Sequence, residues 1–230
     1  DQTTFQGLKQ IVDQEGATVF MGVTALVTTL VYRYTHLEDI VLGTPIAGRY
    51  HENLDHLLGC FVNTLPLRLQ FDENDSFRSL LNHVQKVSME ALDHQMFPFE
   101  QLVGDLPIRW DQSRNPIFDL MVIHQKLGQE ILGNGDSGPE PIHAVGYKVE
   151  KNTSSKMDLA FGFVEGNDNI VLNLEYNSDI ICKENAERLV SHLLNLLEAI
   201  VGSPDSKLCS FSYMSENELL EVPYFDGKIY

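Results

Sequence analysis

Eight histidines and 33 acidic residues supply raw material for acid–base or metal chemistry, so spacing decides whether any of it can work. His51-Glu52-Asn53-Leu54-Asp55 fits His-x-x-x-Asp, in which a carboxylate supports a histidine base. So many residues of both types make that spacing a coincidence, and the polar surroundings predict a solvated loop or helix start. Neither residue is assigned a catalytic role. Ser137, within Gly135-Asp136-Ser137-Gly138-Pro139, sits in a Gly/Pro-rich turn, whereas a serine nucleophile needs a base and a prepared oxyanion site. The other histidines are scattered, without His-Glu-x-x-His or Cys/His clustering, so no metal is expected. Nor does a Gly-rich phosphate loop occur. Asn152-Thr153-Ser154 matches a glycosylation acceptor, which carries no meaning in a cytosolic protein. Cys60, Cys182 and Cys209 are odd in number and far apart, which argues against disulfides and zinc; they are expected to be small apolar packing residues.

The elements that would position such groups follow from periodicity and punctuation. A short helix is predicted over 5–15, stopped by Gly16, and a more apolar one over 18–36. Strands are expected at 39–46 and 60–71. Ser76 caps a helix with Phe77, Leu80, Leu81, Val84, Ala91 and Leu92 on or near one face, ending before Pro98. Residues 117–124 form an apolar run suited to a strand covered on both faces, and 127–141 a long loop rich in Gly and Pro. Alternation at Met157, Leu159, Phe161 and Phe163, and again at Ile170, Leu172, Leu174 and Tyr176, predicts a hairpin around Gly166-Asn167-Asp168-Asn169. A helix over 186–201 closes at Gly202 and Pro204. From Asp205 on, a loosely packed exit is expected. Strands and helices alternate irregularly, which favours an α/β fold with a mixed β-sheet flanked by helices over a purely parallel one.

The 230 residues, 43% of them hydrophobic, can bury a sizeable core as one domain or one large lobe. Sixteen basic against 33 acidic residues give a formal charge of −17, which repels a phosphate backbone, so no nucleic-acid partner is expected. The most apolar stretch, 19–31, is too short and threonine-rich to cross a bilayer. Residues 1–15 lack the features of a secretory signal, so a cytoplasmic location without membrane contact is expected. On these grounds alone the chain reads as an acidic α/β domain with no visible active centre.

Three segments carry a resemblance beyond that reading. Gly59-Cys60-Phe61-Val62-Asn63-Thr64-Leu65-Pro66-Leu67-Arg68 contains a Gly-x-Phe-Val-Asn-Thr pattern. His94-Gln95-Met96-Phe97-Pro98-Phe99-Glu100 is close to His-Gln-x-x-Pro-Phe-Glu. Arg109-Trp110-Asp111-Gln112-Ser113-Arg114-Asn115-Pro116-Ile117 is close to Arg-Asp-x-Ser-Arg-Asn-Pro-Leu, with one residue inserted and Ile for Leu. In order and spacing they resemble motifs of the condensation domains of non-ribosomal peptide synthetases. The likeness extends to 40–49, to Asp158-Leu159 and to Leu174-Glu175-Tyr176-Asn177, and so covers nearly the whole chain. It implies a chloramphenicol acetyltransferase-like fold, of which this chain would be the C-terminal lobe at 1–204, followed by an exit segment or linker at 205–230.

In that family the His-His-x-x-x-Asp-Gly motif sits on the first lobe, and its second histidine is associated with amide formation. No two histidines are adjacent here, so no catalytic residue is assigned, and the resemblance implies a fragment inactive alone. Its parent would join carrier-bound aminoacyl or peptidyl thioesters. Phosphopantetheine would belong to peptidyl or acyl carrier proteins, with no cofactor held by this chain. Other implied partners are the N-terminal lobe and adjacent synthetase domains. Asn63, a polar residue between apolar Val62 and Leu65, is the candidate for a substrate-tunnel contact, set against a structural amide bond to a neighbouring loop. Arg49 and Arg114, beside turn-forming residues, are candidates for loop bracing or lobe-interface contacts. His94 and Glu100 receive no chemical role, and Phe97 and Phe99 are expected to plug core space. A non-catalytic carrier-protein or interdomain binding module is the alternative. An acyltransferase of the chloramphenicol acetyltransferase type is the more distant one.

Overall fold

The computed structural model describes residues 2–54, 56–107, 114–126, 155–166 and 169–221. The first helix, α1 (Gln2–Gln14), buries Phe5, Leu8, Ile11 and Val12 on one stripe. Gly16 then turns the chain at φ +64°, the left-handed region that costs glycine little. Thr18 caps α2 (Val19–Thr35) by accepting from the N–H of Met21 at 3.3 Å. This helix is buried along nearly its whole length, and its buried Thr24, Thr28 and Thr29 each return their hydroxyl to a carbonyl four residues back at 2.8 Å. These three threonine hydroxyls are thereby satisfied inside the core.

Five strands form a mixed sheet ordered β2-β1-β3-β4-β5. The central β1 (Asp39–Ile46), β3 (Leu120–Lys126) and β4 (Leu159–Glu165) run parallel, while β2 (Asn63–Gln70) and β5 (Ile170–Tyr176) are antiparallel edges. Inward positions Leu42, Leu69, Val122, Phe161 and Phe163 join α1, α2, α3 (Phe77–Asp93) and α5 (Lys183–Gly202) in one core. Ser76 caps α3 from its side chain at 3.2 Å. A short α4 (Phe99–Asp105) follows Pro98, and α6 (Glu216–Glu221) ends the described chain. Among the described residues no single helix is long and apolar enough to cross a membrane.

The mixed sheet, its flanking helices and the hairpin agree with the sequence reading, although Asn167 and Asp168 at the hairpin's tip lie outside the described residues. Several expectations need correction. The second strand begins at Asn63 rather than residue 60, because the β1 ladder that it pairs with ends at Ile46↔Asn63. The third begins at Leu120 rather than residue 117, since Asn115 Oδ1 accepts from the N–H groups of Ile117 and Phe118 and holds them in a turn. It is not covered on both faces: only Val122 in it is fully buried. Residues 205–211 are not loosely packed, for Leu208 is fully buried and Phe211 is 3% exposed, both within the core. The N–H groups of Leu208 and Cys209 also bond the carbonyls of Asp75 and Glu73.

Cys60 and Cys182 are exposed rather than packed; the first lies beyond the strand ladder and the second stands at the N-terminus of α5. Phe97 is 43% exposed and fills no core space, its backbone being held in a turn, whereas Phe99 packs on Phe118 with ring centroids 5.7 Å apart. The long loop at 127–141, Ser137, Asn152, Asp55 and residues 109–113 lie outside the described residues.

Candidate functional site at the carboxyl ends of the parallel strands

Open α/β sheets bind ligands beyond the carboxyl ends of their parallel strands. In this chain that end is built from the last residues of β1, β3 and β4 and, because β2 runs the other way, from its first residue, Asn63. The Asn63 amide donates to the carbonyls of Gln95 at 2.9 Å and Phe97 at 2.8 Å, and its Oδ1 accepts from the N–H of Phe99 at 3.1 Å. Both of its donors are thus committed, leaving one Oδ1 lone pair for any other partner. The side chain ties the start of β2 to the 95–99 turn and so fixes how α3 passes into α4. Beside it, Thr64, Pro66, His94, Phe97, Phe99 and Leu102 surround a mainly apolar hollow of about 300 Å³.

Arg49 braces the loop between β1 and β2. Its guanidinium donates to the carbonyl of Leu54, and to that of Leu57 at 3.1 Å, and lies over the Phe61 ring at 4.7 Å from the centroid. Gly48 admits this closure: its φ is +65°, and a Cβ there would stand 1.8 Å from the Phe61 carbonyl oxygen. His51 Nδ1 accepts from the N–H of Asn53 at 3.2 Å in this loop. Arg114 is elsewhere. It precedes β3 and reaches Asp158, ahead of β4, at 3.3 Å and Asp119 at 3.6 Å, so it braces the opposite end of the sheet. A polar hollow there is lined by Arg114, Asn115, Asp119, Lys156, Asp158 and Asn177.

The carboxyl end also gathers groups that the sequence reading did not single out. Glu165, last in β4 and 4% exposed, pairs with Lys9 of α1 at 2.8 Å and with His124 Nε2 of β3 at 3.1 Å. Burial pushes its carboxyl up, but the hydrogen bond and charge of Lys9, helped by His124 and Lys126, hold it below the ordinary glutamate value. The available signal was its position: Glu165 continues the inward alternation of Phe161 and Phe163, where an acid demands a partner. A cleft of about 250 Å³ opens next to this cluster, between the start of α2, the ends of β1 and β3, and the last turns of α3, with Thr44, Ser88 and His124 among its walls. Among the described residues no group of three or more His, Cys, Asp or Glu side chains is arranged to hold a metal ion.

The family model of the condensation domain matches residues 1–221. The chain belongs to the condensation-domain family. It is 35% identical over 228 residues to bacitracin synthase 1 of Bacillus licheniformis, an alignment covering 97% of this chain and 4% of that protein. The chain therefore spans a small fraction of the length of the curated relatives it matches. Among solved structures it superposes, with a TM-score of 0.84 and 24% identity, on a holo four-domain nonribosomal peptide synthetase bound to AMP and glycine, covering 95% of this chain and 17% of that one. With the first condensation domain of the CDA synthetase the TM-score is 0.74 at 19% identity, covering 94% of this chain and 46% of that one. The mixed five-stranded sheet is thus the condensation-domain fold, and two of the three resembling segments, around Asn63 and around Phe97, meet through the Asn63 side chain. Of the third, residues 114–117 are described.

Proposed function

We propose that this chain is the C-terminal lobe of a condensation domain whose parent joins two carrier-bound substrates through an amide bond. The acceptor amine attacks the donor thioester carbonyl; the C–N bond forms, the C–S bond breaks, and the donor arm's thiol leaves as the amine gives up its proton. The phosphopantetheine arms are substrates delivered by carrier proteins. The observation that carries the lobe reading is coverage: the fold matched here accounts for 46% of a single condensation domain's chain, and adjacent histidines occur nowhere in the 230 residues.

On this reading the N-terminal lobe supplies the histidine, and this lobe supplies walls that align the reactants and exclude water, which raises their effective concentration. Asn63 acts as a positioning residue through the 95–99 turn, Arg49 shapes the loop after β1, and Arg114 braces the far end of the sheet. Carrier proteins, the N-terminal lobe and neighbouring synthetase domains are the partners. Incubating this chain with aminoacyl-loaded donor and acceptor carriers should yield no dipeptide above the carrier-only background, while the same carriers with the complete domain yield product. Turnover by the chain alone would overturn the lobe reading.

A further inference from the structure

Ser88 occupies a place where α3 otherwise presents carbon. It follows Phe77, Leu80, Leu81 and Val84 on the buried stripe, is 3% exposed, and lines the cleft beside His124. Its Oγ has no hydrogen-bond partner among the described residues. A buried hydroxyl left unmatched costs stability, so an apolar residue would serve the core better unless something entering the cleft meets the hydroxyl. The surrounding walls are mainly Phe20, Met21, Leu65, Leu67 and Leu92. Their space of about 250 Å³ exceeds the roughly 150 Å³ that takes up benzene in an apolar protein cavity. One lining residue is ionisable, His124, and its Nε2 is engaged by Glu165, so a charged ligand group would go unmatched. A serine hydroxyl both donates and accepts and pairs readily with another hydroxyl.

We propose that this cleft binds a neutral, ring-sized apolar group bearing one hydroxyl, a hydroxyaryl group, with Ser88 Oγ as its hydrogen-bond partner. The space beyond one ring leaves room for the substituent that joins the ring to the rest of a molecule. Two sources share this chemistry: the side chain of a thioester substrate, which rests on the condensation reading above, and a free phenol.

The test titrates the chain with p-cresol and with toluene, following the backbone amide resonances of Thr44, Leu65 and Ser88. The expected result is saturable shifts at all three, with p-cresol bound roughly 3- to 10-fold more tightly, the worth of one hydrogen bond. Ser88→Ala should bind both ligands equally, and Leu92→Trp, a change at a 41% exposed rim position, should block both. Absence of saturable shifts, or an unchanged p-cresol preference in Ser88→Ala, overturns the proposal. Competition separates the sources. Displacement of p-cresol by the N-acetylcysteamine thioester of tyrosine but not of alanine assigns the site to a tethered substrate. Binding of p-cresol that neither thioester displaces assigns it to a free phenol, and leaves the condensation reading to stand or fall on dipeptide formation.

Discussion

A side-chain amide differs from a carboxylate of the same shape in one respect that matters at position 63: it donates. The carbonyls of Gln95 and Phe97 both face Asn63 Nδ2, so Asn63→Asp keeps the volume and the acceptor for Phe99 but sets a negative charge against two carbonyl oxygens. Asn63→Ala removes all three bonds and leaves half-open backbone groups to water. Both variants should lose stability by about 1–3 kcal/mol, with the aspartate at least as damaging as the alanine near neutral pH. Urea unfolding of the two variants checks this. An aspartate variant as stable as the parent would mean that the donors are not what holds the turn. On the proposed function, the same variants in a complete domain should lower the rate of condensation by displacing the 95–99 segment, with the folded fraction held constant by assay in the cold.

At the scale of elements, Glu165 joins the helix α1, through Lys9, to the paired strands β3, through His124, and its own β4. Removing one partner of a buried pair leaves a charge that the interior solvates poorly. Lys9 is about one-quarter exposed, so water recovers part of the loss, and Lys9→Met should cost about 1–3 kcal/mol. The pH dependence has a definite sign. Because the folded carboxyl sits below its ordinary value of 4.5, its contribution is fully present above that pH and is lost as pH falls through the lowered folded value. Lys9→Met raises the folded value, so the stability gap between parent and variant should be widest near neutrality and narrow in acid. Urea midpoints at pH 7 and pH 4 measure it. Much of this framework was legible from periodicity: the helices after Gly16 and Ser76, the first strand and the hairpin are local patterns. What stayed hidden depends on partners distant in sequence. Glu165 could be read as inward-facing but its partner Lys9 lies 156 positions away. The packing of Leu208 and Phe211 rests on groove space that only the assembled helices define, and α4 is too short for its period to register. Asn63 was legible as a residue in need of a partner, while its commitment to three backbone groups was not.

For the molecule as a whole, the proposed reading as one lobe of a larger domain predicts a grouped apolar surface left in water. Leu57, Leu58, Val62, Met96 and Phe97 are between 43% and 102% exposed, and all five lie in the segments that Arg49 and Asn63 tie together. Met89 and Leu92, at 56% and 41%, extend this apolar run along the last turns of α3. Apolar residues grouped in this way mark an interface more often than a free surface. The formal charge of −17 opposes close approach of copies at long range, but screening shortens that repulsion to about 8 Å at physiological ionic strength. The isolated chain should therefore stay dispersed at low salt and self-associate as salt rises, a dependence opposite to that of an ion-paired interface. Sedimentation velocity at 20 mM and 500 mM salt reads it directly. Replacing Leu58 and Met96 by Lys should suppress the association without lowering the unfolding midpoint, since both side chains are exposed. If the association instead weakens with salt, charge pairs rather than this apolar surface hold the copies together.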